Sequence, residues 1–362
     1  MKKVVLGCVL AVTAVSMAMA QQPSPKIVII TLDGLRWQEV FSGADPLLVA
    51  HTEYVGDTTH LKSLFWNDDL KERRESLMPF LWKEVPKMGQ MHGNRTLGSK
   101  VDLTNKMWFS YPGYNEILTG RADDKRINSN DKINNPNKTI LEQIDQLPQF
   151  RGKVAAFGSW DVFPYIINAE RSQIPVNAGF GTAKGPGLTE REEFLNELQP
   201  QVPSPWGTVR LDAFTHHYAL EYMKREHPEL IYISYGETDD FAHDGDYQAY
   251  LTSAHNTDTL IGDLWKFTQE DAFYRDNTLF VITTDHGRGA EPLETWRHHG
   301  NQVKGAGEVW LLVFGKGVAA LGEVEKEEQL YSNQIAPTIL KALDLPINKE
   351  MPGKPLPLDT KQ

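Results

Sequence analysis

Residues 283–289 read TTDHGRG and follow the apolar run Leu279-Phe280-Val281-Ile282. A turn accounts for the glycine. It does not account for an aspartate and a histidine, both able to hold a metal, set where a buried strand ends. The pattern recurs along the chain. The run from Ile27 to Leu32 ends in Asp33-Gly34, and Leu230 to Ser234 runs into GETDDFAH, residues 236–243. Asp239 and His243 are four apart and share a face if that stretch is a helical turn. His299 precedes Gly300 in WRHHG. Asp33, Asp239, Asp285, His243, His286 and His299 are therefore candidate ligands, with Asp240 and His298 as neighbouring alternatives to Asp239 and His299. Six such donors make two sites of three, and a site with three protein ligands keeps a position open for catalysis. Two metals about 4 Å apart form a clamp for in-line displacement at phosphorus.

These residues need a scaffold that brings strand ends together. Segments 26–32, 153–157, 230–235, 278–284 and 308–314 are short, apolar, and β-branched or aromatic, without clean alternation. That composition fits strands buried on both faces of a parallel sheet. Helical patterns over 69–85, 113–119, 138–147, 212–226, 246–268 and 333–343 lie between them. The alternation predicts an α/β fold, a mostly parallel sheet with helices on both faces. Ligands of such sheets bind beyond the carboxyl ends of the strands. Asp33, Asp239, Asp285 and His286 all fall there or just after. Residues 42–68, within a broader irregular stretch near 42–100, and residues 169–208, rich in Gly and Pro, look like insertions, either cap or surface loop.

The 362 residues allow one large domain or two ordinary ones. The first twenty read as a cleavable export signal: MKK, an apolar stretch from Val4 to Met17, and Ala18-Met19-Ala20 as a small-x-small cleavage site. Residues 21–362 would then form one catalytic domain, periplasmic or secreted, without a membrane anchor. A lipoprotein reading at Cys8 would leave only about four apolar residues ahead of it, against the 7–15 of a signal core. Cys8 is the only cysteine, so a processed chain has no thiol, and any metal must be held by His, Asp or Glu. Acidic residues outnumber basic ones 48 to 37. That balance disfavours binding to nucleic acid or an anionic membrane through bulk charge.

Taken together these motifs resemble the alkaline phosphatase superfamily, and within it the type I phosphodiesterase/nucleotide pyrophosphatase branch. The likeness spans nearly the whole chain after the signal. ITLDGLR matches the opening strand and aspartate. Ser110-Tyr111-Pro112 with Thr119-Gly120 matches the nucleophile and its helix. Asp239 with His243, TTDHG, His299-Gly300 and the closing NQIAPTILKALDLP match the rest. The resemblance implies a three-layer α/β/α sandwich with cap insertions. It implies one Zn2+ held by Asp239, His243 and His299, and another held by Asp33, Asp285 and His286 and touched by Ser110. The donors also suit Mn2+. Ser110 would attack phosphorus, form a phosphoseryl intermediate, and release it to water. The expected partner is a small-molecule phosphate ester.

The chain also departs from the family. Gly113-Tyr114 stands where diesterase relatives have Asn and His. The oxyanion-side asparagine falls in INSNDKINNPN, with Asn130 the first choice and Asn128 the second. Monoesterases of the superfamily place a cation after the strand at 153–157. Here the segment offers Trp160, Asp161 and Phe163, which favours a diester or an aromatic or nucleotide leaving group, whose ring can stack on Trp160 or Phe163. Arg36, Arg121 and Arg288 are nearby alternatives for charge. Ser110 lacks the arginine context of a sulfatase's modified nucleophile. The expectation is an exported two-zinc phosphodiesterase or pyrophosphatase. Its alternatives are a phosphomonoesterase, a phosphotransferase or mutase, a sulfatase-like enzyme, and a non-catalytic metal-binding protein.

Overall fold

The apolar runs pair as the absence of alternation predicts. A computed structural model describes residues 24–358; the signal reading of residues 1–20 lies outside them. The strands are β1 (Lys26–Leu32), β2 (Gly89–His92), β3 (Ser99–Asp102), β4 (Val154–Gly158), β5 (Val176–Ala178), β6 (Leu230–Tyr235), β7 (Thr278–Thr283), β8 (Glu308–Val309), β9 (Leu311–Gly315), β10 (Gly322–Glu323) and β11 (Glu328–Tyr331). Eight of them form one sheet in the order β10-β2-β9-β7-β1-β6-β4-β5. All its pairings are parallel except those of β9, which runs antiparallel to β2 and β7. A small sheet, β11-β3-β8, stands beside it.

β1 sits in the middle and shows why the sheet has two covered faces. Val28, Ile30 and Leu32 join one apolar cluster with residues of the Asp212–Glu226 and Tyr247–Glu270 helices. Ile27 and Ile29 join the opposite cluster, with the Ser110–Thr119, Ile140–Asp145 and Ile335–Ala342 helices. Each such aliphatic side chain, fully buried, stabilises the fold by roughly 1.5–3 kcal/mol relative to exposure. The outcome is a mixed α/β fold of three layers around a mostly parallel sheet.

Two expected elements divide. The 69–85 helix is two, Leu70–Leu77 and Pro79–Lys83, because Met78 leaves helical geometry and Pro79 cannot supply an N–H to continue the ladder. The 308–314 strand breaks at Trp310, giving β8 to the small sheet and antiparallel β9 to the large one. Residues 42–100 contain helices and β2 and β3, with Leu48, Val49, Leu61 and Phe65 buried in the core. The 169–208 stretch contains β5 and a helix, Glu190–Leu198, closed by a Thr189/Glu192 capping box. Its far end reaches the helix Glu237–Asp244: Trp206 packs edge-on against Phe241, and its indole donates to Asp244 Oδ2 at 3.0 Å. Among the described residues no helix is long and apolar enough to cross a membrane.

Candidate metal centre

Strands β7, β1 and β6 are neighbours, so the residues following their carboxyl ends are neighbours too. Asp33 continues β1 and keeps its N–H on the Tyr235 carbonyl at 2.9 Å. Asp285 and His286 follow β7. Asp239 and His243 lie one turn apart on the Glu237–Asp244 helix that begins after β6. His299 arrives on the loop after a short 3-10 turn, Leu293–Arg297. The six donors fall into two groups, Asp33/Asp285/His286 and Asp239/His243/His299, and within each group one donor atom per residue lies within 4.8 Å of the others. Asp239, not Asp240, and His299, not His298, join the second group.

The first group is fully buried and consists of facing acceptors. His286 Nδ1 lies 2.9 Å from the Gly287 carbonyl, which can only accept, so Nδ1 carries the proton. With the proton on Nδ1, the neutral tautomer would leave a lone pair on Nε2. It faces Asp33 Oδ1 at 3.3 Å, Asp239 Oδ1 at 3.6 Å and Asp285 Oδ2 at 3.6 Å. Asp33 Oδ1 and Asp285 Oδ2 are buried and have no hydrogen-bond partner. Burial pushes the carboxyls of Asp33 and Asp285 well above the ordinary range; Asp239 adds to this for Asp33, and Asp33 for Asp285. A buried charge without a partner is costly, and a cation is the partner that three converging acceptors share. The residues fit a divalent metal.

The second group is half open, with the His243 ring 42% exposed. His243 Nε2 is 3.3 Å from Asp239 Oδ2 and 3.0 Å from His299 Nε2. Burial holds the His299 imidazole down at about 2, with His286 acting in the same direction, so this ring is also a neutral donor of a lone pair. Burial pushes Asp239 up, but Arg288, then His243 and His299, bring it well below the usual carboxylate range. Asp239 Oδ1 is 3.7 Å from His299 Nε2 as well as facing His286, so the two groups adjoin.

Ser110 begins its helix and points at the first group, with Oγ 3.3 Å from His286 Nε2. Gly113 explains how the helix comes so close: a Cβ there would sit 2.1 Å from the Asp285 carbonyl oxygen. Tyr114 donates its hydroxyl to Asp33 Oδ2 at 2.8 Å. Asn130 stands at the turn that begins the Ser110 helix, where its Oδ1 accepts the Tyr111 N–H at 3.0 Å. Asn128 is exposed on the same loop. Trp160 is half-buried, edge-on to Phe163, which packs against Tyr114. Lys132 reaches this flank and pairs with Asp161 at 2.7 Å.

Two supporting residues were not identified from sequence. Glu116 is buried on the Ser110–Thr119 helix and accepts from the backbone and side chains of Thr104 and Asn105 at 2.8–3.1 Å. It anchors the segment leading into Ser110. A charged residue amid the apolar positions of that helix was the available signal. Arg288 was noted only as a source of charge. It ties Gly34 O, Arg297 O and Asp239 together, bonding both the carbonyl and the carboxylate of the last. Of the other two arginines, Arg36 pairs with Glu39, and Arg121 with Glu350.

Residues 180–347 match the model of the Metalloenzyme superfamily. Five of the six donors fall within that span; Asp33 and Ser110 lie before it. A 2,3-bisphosphoglycerate-independent phosphoglycerate mutase of Campylobacter jejuni is 28% identical over 167 residues, 44% of this chain and 32% of the relative. That of Onchocerca volvulus is 25% identical over 178 residues, 46% of this chain and 32% of the relative. The matched region thus spans about a third of these curated relatives' length. Among solved structures, the alkaline phosphatase PafA aligns with a TM-score of 0.59 at 11% identity, covering 92% of this chain and 98% of that one. A phosphonate monoester hydrolase from Silicibacter pomeroyi aligns at 0.58 and 16% identity, covering 92% and 76%. The fold is alkaline phosphatase-like, a mixed α/β architecture around a large, mostly parallel sheet. Within it, residues 180–347 are similar to the Metalloenzyme superfamily.

Proposed function

We propose that the chain is a two-metal hydrolase of phosphoric esters, acting through Ser110 and preferring phosphodiesters or pyrophosphates. The observation that carries this is the convergence of unsatisfied acceptors beside the Ser110 hydroxyl. Asp33, Asp285 and His286 would hold one cation and Asp239, His243 and His299 the other, with zinc the ion their nitrogen and carboxylate donors suit. Bound dications would lower the pKa of the serine hydroxyl and offset the charge of a phosphoryl group.

The chain's own residues do the rest. Glu116 and Asn130 fix the turn from which Ser110 attacks. Ser110 Oγ forms a bond to phosphorus as the bond to the leaving alcohol or phosphate breaks, and water then cleaves the phosphoseryl ester. Tyr114 and Arg288 hold Asp33 and Asp239 in place throughout. Asn130 is assigned to the oxyanion side, with Asn128 as its alternative, and Trp160 to the ring of the substrate. The Lys132–Asp161 pair supports the diester preference, because the cation on this flank is already matched by a carboxylate. The likeness to mutases favours a second reading, transfer of the phosphoryl group to an acceptor alcohol in place of water.

The test compares bis(p-nitrophenyl) phosphate with p-nitrophenyl phosphate, with and without glycerol as acceptor. Ser110→Ala should lower turnover by several orders of magnitude, roughly 10⁴-fold or more. Activity that survives both this change and metal chelation would refute the assignment. A large monoester preference would refute the substrate class. Export is part of the same reading; N-terminal sequencing of the mature protein should begin after Ala20.

A further inference from the structure

The Gly- and Pro-rich stretch 169–208 closes over one edge of the large sheet, where β5 is the last strand. Between β5, β4 and the Asp212–Glu226 helix lies a cavity of about 290 Å³. Tyr218 and Tyr222, one turn apart on that helix, both line it. Phe157 of β4, its ring centroid 5.3 Å from that of Tyr222, and Val176 of β5 continue the apolar wall. The loop on the remaining side is pinned: the Asn196 side chain accepts from Ala183 N–H at 2.9 Å and donates to Ala183 O at 3.0 Å. Neither Ser110 nor any of the six metal donors lines this cavity.

The charges around it are of one sign. Lys184 and Arg225 line the cavity and no carboxylate does, in a chain with 48 acidic and 37 basic residues. Arg225 is matched by Glu192 at 3.0 Å, whereas Lys184 forms no ion pair among the described residues. A third cation lies behind the wall. Arg210 is fully buried, its guanidinium carbon 5.1 Å from the Tyr218 ring centroid. Four of its five N–H groups donate to neutral oxygens, Thr215 Oγ1, Asn177 Oδ1 and the carbonyls of Gly181 and Asn177, at 2.6–3.2 Å. Asn177 and Gly181 themselves line the cavity. Among the described residues no carboxylate pairs with this guanidinium. Asp212, two residues on, accepts instead from Ser159 Oγ and from the N–H groups of Gly236 and Glu237. A buried charge bonded only to neutral groups is costly, and an anion beside it offsets that cost.

We propose that this cavity binds a small aromatic carboxylate, a ligand distinct from the substrate of the metal centre. Mostly apolar walls with a few placed polar groups are the usual build of a small-molecule site. The rings of Phe157, Tyr218 and Tyr222 favour a planar ring, which can meet them edge to face or offset. A dry cavity of about 150 Å³ takes benzene, so about 290 Å³ admits one ring or two fused rings with a carboxylate. Lys184 meets the carboxylate, one free ammonium for one negative charge, and Arg210 adds its positive field from behind. The site stands independently of the phosphoric-ester reading.

The test titrates 2-naphthoate and its uncharged analogue 2-naphthamide calorimetrically into the full-length protein. Wild type should bind the carboxylate about tenfold more tightly than the amide. Equal affinity for the two, or binding of neither, overturns the proposal. Lys184→Gln should narrow that preference about threefold, the scale of an exposed ion pair, and leave amide binding unchanged. An undiminished preference overturns the proposal. Ala183→Phe fills the cavity from an irregular segment and should abolish binding of both compounds. Binding that survives in this variant places the ligand elsewhere, the metal centre included, and overturns the site. Thermal melting checks that each variant is folded. Lys184 is exposed, so Lys184→Gln decides the question should Ala183→Phe fail to fold.

Discussion

Replacing Tyr114 by Phe removes one oxygen from the centre and little else. The ring keeps its place against Phe163, 4.8 Å between centroids. Lost is the hydroxyl that donates to Asp33 Oδ2 at 2.8 Å and lies 3.2 Å from Ser234 Oγ. A hydrogen bond to a charged acceptor contributes about 1.5–3 kcal/mol. Because 1.4 kcal/mol is tenfold in an equilibrium, this corresponds to a metal affinity roughly 10–100-fold weaker, the range found when a residue orienting a ligand is lost. At free zinc one hundred times the wild-type Kd, binding stabilises the wild type by about 2.7 kcal/mol; a tenfold weaker variant retains about 1.4 kcal/mol. The assay is zinc affinity by competition with a chromogenic chelator, paired with thermal unfolding with and without zinc. An affinity within twofold of wild type, with the same zinc-induced rise in Tm, would show that Tyr114 does not orient Asp33 for a metal.

Gly113→Ala should be damaging in a different way. A methyl group 2.1 Å from the Asp285 carbonyl oxygen must push the Ser110–Thr119 helix back. Overpacking of this kind costs about 1–3 kcal/mol of stability, and a displacement near 1 Å lowers kcat about 100-fold; thermal melts and steady-state kinetics read both. His216 should shape the acid limb of stability. Burial holds its imidazole down at about 3, against 6.5 for the free side chain. The unfolded chain therefore binds the extra proton first, and stability falls as pH drops below 6.5. This group alone contributes a loss of about 2 kcal/mol by pH 5. Urea unfolding at pH 7.5 and 5 should show a flatter dependence in His216→Gln; an unchanged slope would remove His216 as the cause.

What could be read from sequence follows a physical division. β1, β6 and β7 were legible because burial on both faces leaves an uninterrupted apolar run, and because metal-capable residues stand at their ends. The short strands GQMH, SKVD and EQLY were not, since four residues of mixed polarity carry no period. Trp310 hid the break between β8 and β9, being as apolar as its neighbours. Pro79 was a visible signal that 69–85 could not be one helix. The six donors were legible as residue types at spacings, and the fold gathers them. Tyr114, Glu116 and Arg288 act only through tertiary proximity, across 81 residues for Tyr114 to Asp33 and 49 for Arg288 to Asp239. Lys132 reaches Asp161 in the same non-local way. No local pattern announces such pairings.

The first donor group joins segments far apart in the sequence. Gly34 N–H meets Asp285 Oδ1 across a sequence separation of 251 residues, at 3.1 Å. An ion seated there would act as a removable cross-link between β1 and the segment that follows β7. Loops that long are entropically slow to close. Cation supply during maturation would thus govern how firmly the finished chain locks its first strand into the sheet, apart from any role in turnover.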